Sequence, residues 1–389
     1  MKLLEGVRVV EVGGGIAASY ATKLFADFGA DVIKVEPPEG DETRRMAPFV
    51  GDVPDAERSA IFLHTNTGKR SVVLELSKKK DRETCARLAA SADIVVESFK
   101  PGILASMGLG FEDLIKLQPQ LVLTSITAFG QDGPYAQYEG SELIYYGMGG
   151  PMLGNGEEDR EPVKLGGYMS VYQTGNTAAT ATIGALMVAE EQNEPTHIDI
   201  SGFETGLSSS DRRTSFLLNY SYNGEVTGRG NLLGGIMPNG AFPTSDGYVQ
   251  IILTQAWLPR MLRTLQDPDL DAYFAQVAEN PALFATMATK EAIDAALYPW
   301  LLDRTKNEVM QQAQANKWPV TAINTPVEVL TDQHFVAREF FTSVEYPGVG
   351  AVTQPGAPFR IAEGWELAAA PALGADTTEV LSSLPAMKH

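Results

Sequence analysis

VRVVEVGGGIAASYATKLFADFGADVIKVE, running from Val7 to Glu36, decides the fold. A run of β-branched residues, VRVVEV (7–12), meets a glycine-rich turn, then AASYATKLFADFGA places apolar residues at helical spacing, and ADVIKVE (30–36) returns to β character. Strand, helix, strand in that order builds a parallel pair with the helix packed across it. The pattern continues downstream. SVVLEL (71–76), ADIVVE (92–97) and LVLTSIT (121–127) are three further β-rich runs, and KDRETCARLAASA supplies helical periodicity after the third strand. Repetition of this unit predicts an α/β fold with a doubly wound, Rossmann-like parallel sheet covered on both faces.

Within that opening stretch, Gly13, Gly15 and Ala18 fit G-x-G-x-x-A after a first strand, and Glu36 ends the second strand. These are the elements of a dinucleotide fingerprint. Residues 37–70 show little of the amphipathic crossover helix that should then join strands two and three, so a nicotinamide site is the remote reading. A tight turn into a helix accounts for the same glycines.

At 389 residues the chain is long enough for two domains. Residues 1–221 with 326–389 read as the large one, 222–240 as a glycine-rich linker and 241–325 as a smaller α/β domain. The net charge of −19 disfavours broad contact with nucleic acid or anionic lipid. Apolar runs fall short of a membrane span, and Glu5, Arg8 and Glu11 interrupt the N-terminal run where a signal peptide needs continuity, so a cytoplasmic location is expected. Any phosphate ligand must meet a local basic cluster, for which Arg44 with Arg45 and Lys69 with Arg70 are the candidates. The single cysteine, Cys85, cannot form an internal disulfide and reads as a small buried side chain. Four scattered histidines share no metal-ligand spacing, so no metal site is expected.

Two further clusters read as structural. Ser208, Ser209 and Ser210 lack a nucleophile-elbow setting, and GNGEEDRE (154–161) lacks the oxygen spacing of a calcium loop.

The order of short segments along the chain carries a resemblance. LLEGVRVVEV, FADFGADVIKVEPPEGD, NTGKRSVVLEL, ADIVVESFKPG, MGLGFEDL, TSITAFGQDGPYAQYEG, TGNTAATATIGAL, DISGFETGL, PNGAFPTSDGYVQI, DQHFVAREFF and GAPFRIAE follow one another as they do in class III CoA-transferases. Nearly the whole chain resembles that family, which includes formyl-CoA transferase, carnitine CoA-transferase and α-methylacyl-CoA racemase. The resemblance implies a large Rossmann-like domain built from both chain ends, a smaller domain, and two subunits interlocked as linked rings. Its reaction moves coenzyme A from an acyl-CoA donor to a carboxylic acid through an aspartate that attacks the thioester. Coenzyme A is then a substrate carrier, with no permanently bound cofactor.

Residue by residue the carry-over is mixed. Asn66, Lys69, Arg70 and Ser71 keep an NTGKRS pattern, and Phe99 keeps the aromatic of the E-N-F-x-P-G turn, so Asn66, Lys69, Arg70, Ser98 and Phe99 are the implied coenzyme A contacts. The usual asparagine of that turn is Ser98, and Pro37 and Ser106 stand where basic residues are found in relatives. Gly14 and Ile16 replace polar residues that often face the acyl group. Most telling, the helical stretch PVKLGGYMSVYQTGNTAATATIGALMVA (162–189) contains no Asp or Glu, and Val171 stands where the family's aspartate lies four residues before Gly175. Racemase relatives carry a His-Asp pair where this chain has Ser141 and Glu142. Glu142 is therefore the one nearby carboxylate, a weak substitute whose plain alternative is a turn residue bonded to backbone.

The expectation is a non-catalytic or half-site subunit of a heteromeric CoA-transferase, paired with a homologous subunit that keeps the aspartate. Among relatives, the assembly acting between succinyl-CoA and (R)-benzylsuccinate has two different family subunits, and this chain resembles that type. A homodimeric enzyme using another carboxylate and a non-catalytic acyl-CoA-binding protein are the alternatives.

Overall fold

The structure is a computed structural model that describes residues 2–156, 159–208, 212–227, 237–360 and 365–384. Ser209, Ser210, Glu157, Glu158, residues 228–236 of the glycine-dense stretch and 361–363 of GAPFRIAE lie outside the described residues. The chain divides into two compact units, Met1–Arg229 with Glu339–His389, and Gly230–Arg338.

The larger unit is built on a six-stranded sheet. Its strands are β1 (Arg8–Val12), β2 (Asp31–Glu36), β3 (Arg70–Val73), β4 (Ile94–Glu97), β5 (Val122–Thr127) and β6 (Thr196–Ser201), in the spatial order β3-β2-β1-β4-β5-β6. Every pair is parallel. This is the doubly wound order, in which the direction of winding reverses between β1 and β4. Five strands coincide with the five β-rich runs. The sixth, THIDIS, escapes a search for apolar runs because it is an edge strand whose residues alternate between exposed and more buried positions.

Two apolar layers cover the sheet. One face packs Val10, Val12, Ile33, Val95 and Leu123 against α2 (Lys79–Ala90), which contributes Cys85 and Leu88. Burial pushes the Cys85 thiol up to about 12, which makes it the inert core side chain expected. The other face packs Val9, Val32, Ile94 and Val122 against α1 (Ile16–Asp27) and the 24-residue helix Met169–Gln192. Between β2 and β3 the crossover contains only two 3-10 turns and the six-residue helix Ala60–Thr65. The long crossover helix of a dinucleotide-binding unit is missing there, as the sequence predicts.

The long helix and α1 approach closely because small residues line their contact. A Cβ on Gly175 would stand 2.7 Å from the carbonyl oxygen of Ala17 and 3.3 Å from Tyr20. Gly175→Ala therefore has to push two packed helices apart, and overpacking of this kind costs roughly 1–3 kcal/mol. The midpoint of thermal unfolding of that variant is expected about 1–4 degrees below the parent, whereas an unchanged melting curve would mean that the helices separate freely.

Gly230–Arg338 has its own core. Strands Asn239–Pro243, Tyr248–Ile252 and Val320–Ala322 form an antiparallel sheet, and Trp318, Trp300, Leu297 and Met261 are buried beside it. Its helices Met287–Leu302 and Lys306–Ala315 close the core, the second started by a capping box between Thr305 and Glu308. In the larger unit the C-terminal hairpin Phe341–Tyr346 and Gly350–Pro355 packs Val344 and Tyr346 against Phe62 and Leu63.

Candidate active site

Where β1 and β4 part, their C-terminal ends leave a crevice, the place at which open α/β sheets bind ligands. Two turns fill its floor. Gly13 has φ +110°, and a Cβ there would lie 2.7 Å from Ser98 Oγ and 3.1 Å from Ser98 N, so no other residue fits without displacing the second turn. Ser98 locks the two together: its Oγ donates to the carbonyl of Gly14 at 2.7 Å and accepts the Gly14 N–H at 2.9 Å. Phe99 follows, its amide bonded at 2.8 Å to the buried carboxyl of Glu97. Burial raises the pKa of Glu97, with the nearby charge of Asp199 adding to it.

Two cavities meet over these turns. One, about 370 Å³, lies over the ends of β2 and β3, with Pro37, Leu74, Leu76, Phe99 and Met107 as its apolar wall. The other, about 560 Å³, reaches from the start of α1 to the start of the helix Met169–Gln192, and contains Val171 and Glu142. Gly14, Glu42, Ser98 and Phe99 border both. The structure thus brings Ser98, Phe99, Glu142 and Val171 together.

Asn66, Lys69 and Arg70 are elsewhere. Lys69 is buried, and its ammonium donates to Glu11 Oε2 at 2.9 Å, the Ser19 carbonyl at 2.7 Å and Asn66 Oδ1 at 2.8 Å. All three of its hydrogens are engaged, which leaves none for a phosphate. Burial, opposed by Glu11, brings the Lys69 pKa down to about 8. Asn66 is buried as well, and its amide nitrogen donates to the Phe62 carbonyl at 3.0 Å. Arg70 grips Asp31 with bonds of 2.5–2.9 Å. The GKRS pattern here anchors the sheet; it does not line the cavities.

Arg44 is likewise internal. It holds Glu36 through bonds of 2.7 and 2.8 Å and lies 3.6 Å over the Phe62 ring. Glu36 also accepts from Ser71 Oγ at 2.6 Å and from the amide of Asp41 at 3.0 Å. A ribose hydroxyl would have to compete with all of these, so the acid of the dinucleotide fingerprint is unavailable to one. Of the two basic pairs seen in the sequence, Arg45 alone presents an exposed guanidinium to a cavity.

Beneath the glycine turn lies a buried ionic cluster that sequence reading missed. Lys34 meets Glu11 at 2.5 Å and Asp41 at 2.8 Å, and Glu11 also meets Lys69 at 2.9 Å. These side chains are fully shielded from solvent. Burial would raise the carboxyls of Glu11 and Asp41, but their lysines outweigh it and hold both below the ordinary carboxylate range. Glu36 is held down in the same way by Arg44. Carboxyls with depressed native pKa values bind fewer protons folded than unfolded, so their contribution is complete above the ordinary values near pH 4 and disappears as pH falls through the native ones. Urea denaturation midpoints are expected to drop steeply below about pH 4 as these carboxyls take up protons; a profile with no fall between about pH 4 and pH 3 would contradict this account.

Glu142 opens the helix α3 (Glu142–Met148), whose first turn is capped by the Ser141 side chain. Its carboxylate crosses to the start of α4, as we label Met169–Gln192, accepting from the amide of Ser170 at 3.2 Å and of Val171 at 3.0 Å. Two orphan amides of the first turn are satisfied this way, beside the positive end of the helix dipole. The carboxylate is therefore backbone-bonded, yet to a different helix. Of the carboxylates that border the larger cavity, Glu42 and Glu139 are exposed and Glu142 is buried. Tyr145 stands beside it, its phenol raised to about 12 by burial and by Glu142 and Glu42. Val171 presents only methyl groups to the same space.

The pattern of CoA-transferase family III fits residues 4–377. The chain belongs to CoA-transferase family III. It is 34% identical to the succinate–glutarate CoA-transferase of Agrobacterium fabrum, over 88% of this chain and 85% of that one. It is 28% identical to the BbsE subunit of succinyl-CoA:(R)-benzylsuccinate CoA-transferase of Thauera aromatica, over 96% of this chain and 92% of that one. A solved CaiB/BaiF family protein from Brucella suis superposes with a TM-score of 0.84 at 31% identity, over 99% of this chain and 100% of that one. The fold expected from the strand–helix repetition is the fold of this family. A family III CoA-transferase handles coenzyme A thioesters as substrates. Among the described residues no cluster of His, Cys, Asp and Glu could hold a metal ion, and no helix is long and apolar enough to cross a membrane.

Proposed function

We propose that this chain is one of two homologous subunits of a heteromeric CoA-transferase that moves coenzyme A from succinyl-CoA to a dicarboxylic acid, and that its partner subunit carries the aspartate. The observation that carries this reading is Val171: it borders the larger cavity at the first turn of α4, in the place where the family resemblance puts the attacking carboxylate. A branched alkyl group has no lone pair to open a thioester. The donor and acceptor classes come from the relatives, whose names pair succinyl-CoA or succinate with glutarate, mesaconate, citramalate and benzylsuccinate. Interlocking of family subunits would make such a chain necessary to its partner's fold even without chemistry at position 171.

Native mass spectrometry of the protein purified from its own host tests the assembly. A stoichiometric partner of similar mass, with Asp aligned to Val171, is the expected result. A homodimer with no companion would end the heteromeric reading while leaving family membership intact.

A further inference from the structure

We propose that Glu142, on the helix that faces position 171, is the acyl-accepting carboxylate of this chain. The inference rests on the transferase reading but not on the presence of a partner. Its basis is placement. Glu142 Oε2 lies 3.0 Å from the amide nitrogen of Val171 and Oε1 lies 3.2 Å from that of Ser170. An aspartate on residue 171 would carry its own carboxylate two bonds from that Cα, beside the same amide. The charge that an aspartate would bring to this end of the cavity is thus already there, delivered by a longer side chain from α3.

The surroundings suit a nucleophile. Glu142 is 6% exposed, yet borders the cavity that also takes in the uncapped start of α1 and the glycine turn. Each carboxylate oxygen accepts one amide bond here, which leaves lone pairs on both. The amides fix its orientation before substrate arrives, so little reorganisation is needed at the moment of attack. Lys164 Nζ lies 3.9 Å from Oε1, itself held by the carbonyls of Leu165 and Gly167 at 2.6 and 2.7 Å, and supplies a counter-charge without sealing the carboxylate off. The phenol of Tyr145, raised to about 12 by burial, by Glu142 and by Glu42, stands beside it.

The chemistry balances without protons or electrons from outside. A Glu142 oxygen attacks the thioester carbonyl carbon; the C–S bond breaks, coenzyme A leaves as thiolate, and a mixed anhydride remains. The thiolate attacks Glu142 Cδ and expels the donor acid as carboxylate, which leaves a glutamyl-CoA thioester. The acceptor carboxylate then attacks Cδ and releases the thiolate. That thiolate takes the acyl group of the new anhydride, giving acceptor-CoA and the free Glu142 carboxylate.

The test treats the purified protein, with whatever subunit accompanies it, with succinyl-CoA. Sodium borohydride then reduces any enzyme-bound thioester, and peptides are mapped by mass spectrometry. The expected result is reduction at Glu142, absent in Glu142→Gln, together with a loss of about 1,000-fold or more in coenzyme A exchange attributable to this chain. Glu142→Asp, which withdraws the carboxylate from both amides, is expected to keep a small part of the activity. Label confined to a carboxylate of the accompanying subunit would overturn this inference and leave the transferase reading standing. No label and no exchange anywhere would overturn both. Because the label is sought first in the unaltered protein, misfolding of a variant does not blunt the result.

Discussion

Replacing Glu11 by leucine lowers the unfolding free energy by about 3–5 kcal/mol, the usual cost of removing one partner from a buried ionic group. The size of the effect comes from what stays behind. Lys69 keeps only the Ser19 carbonyl and Asn66 Oδ1, and Lys34 keeps Asp41 at 2.8 Å, all without solvent to share the charge. Leucine restores apolar volume but no counter-charge. The same logic predicts rescue: Glu11→Leu with Lys69→Met leaves a neutral Lys34–Asp41 pair, and most of the lost stability should return. Urea unfolding of the parent, both single variants and the double variant gives the coupling directly. Equal midpoints for Glu11→Leu and the double variant would show that Lys69 does not depend on Glu11. A functional loss is expected with the structural one, because a Cβ on Gly14 would come within 2.5 Å of Asp41 Oδ2, so the cluster supports the turn that floors both cavities.

Val171→Asp combined with Glu142→Gln is expected to exchange coenzyme A from succinyl-CoA about 1,000-fold or more faster than Glu142→Gln alone, since loss of a nucleophile from an enzyme that works covalently costs at least that. The new carboxylate would sit on the first turn of α4, favoured by the helix dipole, beside the cavity proposed for the substrate. Val171→Asp by itself is expected to behave differently. Its carboxylate would face Glu142, and two such groups in one buried place resist ionising together, so one of them binds a proton more tightly. Its exchange rate should therefore rise at higher pH than that of the double variant. Rates measured across pH separate the cases: an inert double variant would mean that position 171 does not reach the thioester, and coincident profiles would mean that the carboxylates do not interact.

Much of the fold was legible because its signals are local. Five of the six sheet strands stand out as β-branched runs, since a strand buried on both faces is largely apolar, even with Glu11 inside β1 and Lys34 inside β2. THIDIS was passed over because an edge strand with exposed His197 and Asp199 has no such run. The small residues around Gly175 announced a close helix contact, though not that Ala17 stands opposite. The site was read less well. Lys69 and Arg70 look like phosphate donors in sequence, where a basic residue has no visible partner; Glu11 and Asp31 are distant along the chain and become partners only when β1, β2 and β3 align.

By itself, then, the sequence determined the strand–helix alternation, the glycine turn, the family resemblance and the absence of a carboxylate from the first turns of α4, because each is a property of neighbouring residues or of their order. Only the tertiary structure decided which charges are occupied and which face the cavities. Glu142 and Val171 are 29 positions apart, and Lys69 and Glu11 are 58 apart. Whether a charged group is a ligand contact or a structural tie depends on which partner folding brings within hydrogen-bond reach, and on whether water can still get to it.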